Sequence, residues 1–151
     1  MQMTDTYDRE LAREVLEVHR KLRDSLGRLE KLTLGDSISK DSMNNIKRVL
    51  PYFRDRLISH FQIAESHGFF EDMLALRPDL NPRVDQFIEE NGQLTAQVND
   101  LCALVAQYGL DPNFSTSHFQ QAFHAFDRKF NDHESTKIDL VQEAYNTDFG
   151  R

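Results

Sequence analysis

FQQAFHAFDRKFNDHESTKIDLVQEAYNTDFG, residues 119–150, is the stretch on which the reading of the whole chain turns. Phe119, Phe123, Phe126, Phe130, His133, Lys137, Leu140 and Ala144 follow one another at steps of three or four residues. That spacing draws a single stripe down one face of an α-helix. The upper half of the stripe is all phenylalanine and must face a core. His133 and Lys137 then stand where the next core residues belong. A titratable group on a buried face costs free energy unless something pairs with it, so the remaining helices must supply what meets this pair.

The length of 151 residues suits one domain, 1–151, with a real core. Few glycines and prolines and a charged content of 28% describe a mostly helical protein rather than a disordered or β-rich one. A net charge of −7 leaves no basic block to neutralise phosphates, so nucleic acid is not expected as a partner. No apolar run approaches membrane-spanning length, and no basic face is available for a membrane surface. The lone Cys102 suits a reducing compartment. The polar, acidic stretch Met1 to Glu10 does not read as a signal peptide. A cytoplasmic protein is expected.

Three further helical segments precede the opening stretch. The first runs from about Thr4 to Leu32, with Leu11, Val15, Val18, Leu22, Leu26 and Leu29 as its apolar stripe and His19 beside that stripe. The second starts near Asp41, read as its N-cap, and carries Met43, Ile46, Leu50, Phe53, Leu57, His60, Ala64 and His67. Pro51 should kink it, because proline removes a backbone donor. His60 lies on the core face, and His67 falls at the solvent edge next to Gly68. Arg77-Pro78-Asp79-Leu80-Asn81-Pro82 separates two pairs of helices. The third segment runs from Pro82, a good first-turn residue, to Gln107, with Asn91 as the one polar member of the stripe Val84, Phe87, Asn91, Leu94, Val98, Leu101 and Val105. A lone buried Asn usually fixes register or bonds across a bundle.

Four amphipathic helices with short connections predict an all-α fold, an antiparallel up-down-up-down four-helix bundle. Antiparallel packing brings His19, His60 with Ala64, Asn91, and His133 with Lys137 to one level. That is the pattern of an inward-facing site.

The wording of these positions resembles the hemerythrin-like (HHE) cation-binding family over nearly the whole chain. Glu17-Val18-His19-Arg20-Lys21-Leu22 is similar to its first-helix motif, and His60-Phe61-Gln62-Ile63-Ala64-Glu65 to its His-Phe-x-x-Glu-Glu. Glu89-Glu90-Asn91-Gly92-Gln93-Leu94 is similar to its Glu-His-x-x-Leu, and His133-Glu134 with Ala144 to Gly150 resembles a bacterial branch. The resemblance implies a hemerythrin-like bundle with iron ligands on all four helices. It also shows departures. Ala64 stands at the second-helix carboxylate position, Asn91 at the third-helix histidine and Lys137 at the fourth-helix carboxylate, so these are lapsed ligand positions. His19, His60 and His133 remain, with Glu65 and Glu134 beside the lapsed positions but displaced around their helices by about 100° per residue.

Three neutral imidazoles do not screen the repulsion between two divalent ions. The Lys137 ammonium can instead take the electrostatic place of the metals, or its stem can pack against the core while the charge reaches solvent. Three function classes follow. One is a non-catalytic binding or interaction bundle with no cofactor expected. Another is a metal- or oxygen-binding protein with a reduced, single-ion site on His19, His60 and His133, holding iron or another divalent transition metal. The third is a metal-dependent enzyme. A protein partner or a homo-oligomer is compatible with all three. Other chemistry is thin, with no Glu-x-x-His, no Gly-rich phosphate loop and no Cys-x-x-Cys.

Overall fold

The computed structural model describes residues 17, 19–66 and 68–145. Leu11, Val15, Val18, His67 and residues 146–150, all used in the sequence reading, lie outside the described residues. Helix α1 is described over 19–32, followed by α2 (Lys40–Ser66), α3 (Phe69–Leu76), a 3₁₀ turn (Pro78–Leu80), α4 (Asn81–Ala106) and α5 (Thr116–Tyr145). The fold is all-α, and the described residues contain no strand. No helix among them is long and apolar enough to cross a membrane.

Local chemistry sets the ends of these helices. Ser39 Oγ accepts the Ser42 amide at 3.1 Å, so the N-cap of α2 is Ser39 and not Asp41. Asp41 lies in the first turn, where a carboxylate favours the positive end of the helix dipole. Ser115 Oγ caps α5 in the same way, on the His118 amide at 3.0 Å. Helix α2 runs through Pro51 as one element. Gly109, at φ +87°, turns the chain after α4 in a conformation that side-chain-bearing residues rarely adopt.

Long helices next to one another run antiparallel, as cross-helix bonds show. Between α1 and α5, Arg23 Nη1 donates to Asn131 Oδ1 at 2.7 Å, while Gln120 Nε2 donates to Thr33 O at 2.8 Å at the other end. For α2 and α4, Lys47 Nζ reaches Tyr108 O at 2.8 Å and Asn91 Nδ2 reaches Glu65 Oε1 at 3.0 Å. Helices α4 and α5 are joined by Lys129 to Gln93 and by Arg83 to Glu143.

Two apolar clusters fill the interior. The larger joins Leu22, Leu26 and Leu29 of α1 to Met43, Ile46, Leu50, Phe53 and Leu57 of α2, to Leu94 and Val98 of α4, and to the α5 phenylalanines. Phe53 meets Phe126 and Phe130 edge-on, at ring separations of 5.9 and 6.2 Å, the arrangement favoured by the aromatic quadrupole. Burying each such ring contributes about 1.5–3 kcal/mol. The smaller cluster holds Phe70 and Met73 of α3, Leu80, Val84, Phe87, Leu140 and Ala144. Helix α3 was not foreseen as an element. It forms because Phe70 and Met73 cover the far end of α4 and α5, and Gly68 at φ +71° turns the chain into it.

Candidate metal centre

A layer of polar side chains lies between the two apolar clusters. His60, Asn91, His133 and Glu134 are all buried in it. The stripes place them there. On α2, His60 follows Leu57 by three residues, and on α5 His133 follows Phe130 by three. The layer divides into two groups.

One group lies among α2, α4 and α5. His133 Nδ1 donates to Glu90 Oε2 at 3.0 Å, and its Nε2 meets Asn91 Oδ1 at 2.5 Å. Asn91 Nδ2 in turn donates to Glu65 Oε1 at 3.0 Å. Asn91 therefore bonds across the bundle to two helices, the behaviour expected of a lone buried Asn. Both nitrogens of His133 are turned to oxygens, so neither is offered to a shared ligand. Burial pushes the His133 pKa down, opposed by the bond and charge of Glu90.

The other group lies among α1, α2 and α5. His19 Nδ1 is 3.4 Å from Glu134 Oε2, and His60 Nε2 is 3.8 Å from Glu134 Oε1. One ligand atom from each of His19, His60 and Glu134 lies within 4.8 Å of the others. Lys137 Nζ points inward and donates to His60 Nε2 at 3.3 Å. Burial, reinforced by the Lys137 charge, pushes the His60 pKa down to about 3, so the ring is neutral and accepts that bond. The His19 pKa is lowered by burial against the raising effect of Glu134. Burial also lowers that of Lys137, and again Glu134 opposes it. His19 Nδ1 and Glu134 Oε1 are buried without a hydrogen-bond partner.

The structure thus gathers His19 and His60 with Glu134 and leaves His133 with Glu90, Asn91 and Glu65. Glu134 does reach round its helix, to His19 of α1 and, across the core, towards His60 of α2. Ala64 is half-buried against the smaller cluster. The role of Glu90 as the partner of His133 was not read from the sequence. Its only signal was adjacency to Asn91 on a helix whose neighbouring positions face the same partner.

The sequence matches a known family model, the hemerythrin HHE cation binding domain, over residues 10–140. The chain belongs to the hemerythrin HHE family. No curated protein and no solved structure matches it.

A hemerythrin HHE domain implies bound cations, and the donors present can be tested against them. Two adjacent divalent ions do not fit. The converging set carries one carboxylate, Glu134, and an ammonium stands beside it, so the repulsion between the ions is unscreened. One ion does fit. Two imidazoles and a carboxylate form a common transition-metal set, and the two unpartnered atoms, His19 Nδ1 and Glu134 Oε1, both belong to it. An ion held there supplies a Lewis acid with open coordination positions.

Proposed function

We propose that this chain is a hemerythrin-like bundle with a degraded paired-ion site, acting as a non-catalytic binding or interaction module in the cytoplasm. The observation that carries this reading is the inward-pointing Lys137, with Nζ 3.3 Å from His60 Nε2. A protein ammonium lies beside a donor that di-iron chemistry would need, and Ala64 and Asn91 offer neither a carboxylate nor an imidazole. Burial lowers the Lys137 pKa, and the Glu134 charge opposes that lowering as the counter-charge to this internal cation. The buried Cys102 fits a reducing compartment. Elemental analysis of untagged protein tests the proposal. Clearly fewer than two metal ions per chain, and no di-iron charge-transfer absorption, are expected. Two equivalents of iron with that absorption would refute it.

A second reading is favoured by the unpartnered His19 Nδ1 and Glu134 Oε1. It is a reduced site for one divalent transition ion on His19, His60 and Glu134, with Glu134 in the place that the sequence reading gave to His133. Under this reading His19→Ala and Glu134→Gln lose the ion, while His118→Ala, on the exposed face of α5, keeps it.

A further inference from the structure

We infer that Lys137 is a built-in competitor for the ion, so that its ammonium and a divalent transition ion are alternative occupants of the same lone pair of His60. The inference rests on the single-ion reading and adds to it how the site is controlled. An imidazole nitrogen has one lone pair in its ring plane. Lys137 Nζ donates to His60 Nε2 from 3.3 Å. A bound ion would stand about 2.0–2.1 Å from that nitrogen. An ion placed between the two nitrogens would be far inside the contact distance of the ammonium. Both cations also depend on the one carboxylate that faces them, since Glu134 Oε1 is 3.8 Å from His60 Nε2 and the other carboxylates of the layer bond elsewhere.

The way out for the lysine is short. Lys137 is only half-buried, and the next residues of α5, Ile138 and Asp139, are exposed. Rotation of the stem takes the ammonium to solvent without unwinding the helix. Ion entry therefore expels a charged side chain onto the outer face of α5, and Lys137 sets the affinity of the site. Ion binding is thereby made visible at the surface, where a partner can read it.

The test is calorimetric titration of the full chain with Zn²⁺, comparing wild type with Lys137→Met and Lys137→Gln, each checked for helical circular dichroism. The expected result is one ion per chain, bound at least tenfold more tightly in both variants than in wild type, and lost when Glu134→Gln is added. A second readout needs no variant. Saturating Zn²⁺ should speed acylation of the Lys137 amine in wild type, followed by peptide mass spectrometry. Equal or weaker binding in the lysine variants, the latter marking the amine as a ligand, would overturn the inference and leave the single-ion reading in place. An unchanged acylation rate at saturation would do the same. Binding that survives Glu134→Gln would sink the three-donor reading, and two ions bound by wild type would sink both.

Discussion

Phe87 lies flat against His133, with ring centroids 3.9 Å apart and planes within 6° of parallel. Phe61 meets the same imidazole edge-on at 5.8 Å. With Glu90 and Asn91 at its two nitrogens, the ring has a fixed partner on every side. His133 therefore joins the two apolar clusters as well as the polar layer. Leaving a buried polar group unsatisfied costs about 1–3 kcal/mol. Urea unfolding of Asn91→Ala, His133→Ala and the double variant should give a coupling energy of about 0.5–3 kcal/mol. Simple additivity would show that the two side chains do not share a bond in solution.

Stability should fall on mild acidification, because of His60. Its folded pKa is about 3 against 6.5 for an unperturbed histidine. Between these values the unfolded chain takes up a proton that the folded chain refuses. Stability thus rises with pH through that window and is lost as pH drops below 6.5. The loss from this residue is about 2 kcal/mol at pH 5, from the linkage relation. The His19 pKa shifts in the same direction. Urea midpoints at pH 7.5 and pH 5 should differ in wild type and differ less in His60→Gln, whose amide can still accept from Lys137. An equal difference in both would assign the acid sensitivity to other groups.

Asp127 works the other way. Its pKa is raised from 3.8 to about 6 by burial, then by the bond and charge of Glu30. A carboxyl group with a raised folded pKa contributes stability that is fully present below pH 3.8 and lost as pH rises through about 6. Asp127→Asn keeps an acceptor for Asn131 and has no charge to lose. It should melt above wild type at pH 7.5, with the gap closing towards pH 4. A gap that stays constant across that range would remove Asp127 from the titration.

The long helices were legible because burial on one side of a helix forces a three-and-four spacing, and Phe119, Phe123, Phe126 and Phe130 keep it without interruption. Helix α3 was not legible. Phe69, Phe70, Met73, Leu74 and Leu76 crowd most of eight residues, so no polar face marks a period. The polar layer was visible as interruptions in the stripes, and its level in the bundle followed from antiparallel packing. Which members of the layer meet was less visible. A helical wheel assigns one inward direction to each helix, whereas α5 meets α1 on one side and α4 on another and faces α2 across the core. Consecutive residues then serve different neighbours, so His133 turns to α4 and Glu134 to α1 and α2.

The Lys137→Glu variant separates an internal cation from a surface lysine. The substitution removes the donor to His60 Nε2 and sets a second carboxylate near Glu134. In chelator, two carboxylates then share a poorly hydrated space with two neutral imidazoles. Leaving Glu134 and the new carboxylate there without a cation costs on the order of 3 kcal/mol, the scale of an uncompensated buried charge. The same change gives the site two imidazoles and two carboxylates, a donor set with more negative charge for a divalent ion. An ion that binds only the folded chain stabilises it by about 2.7 kcal/mol at a hundredfold excess over Kd. Thermal unfolding should therefore place Lys137→Glu below wild type in chelator and recover most of the difference with Mn²⁺ or Fe²⁺, while wild type responds less. A variant as stable as wild type in chelator would place the Lys137 amine in solvent. One that stays destabilised whatever the metal would mean that His19, His60 and Glu134 do not close on a common ion.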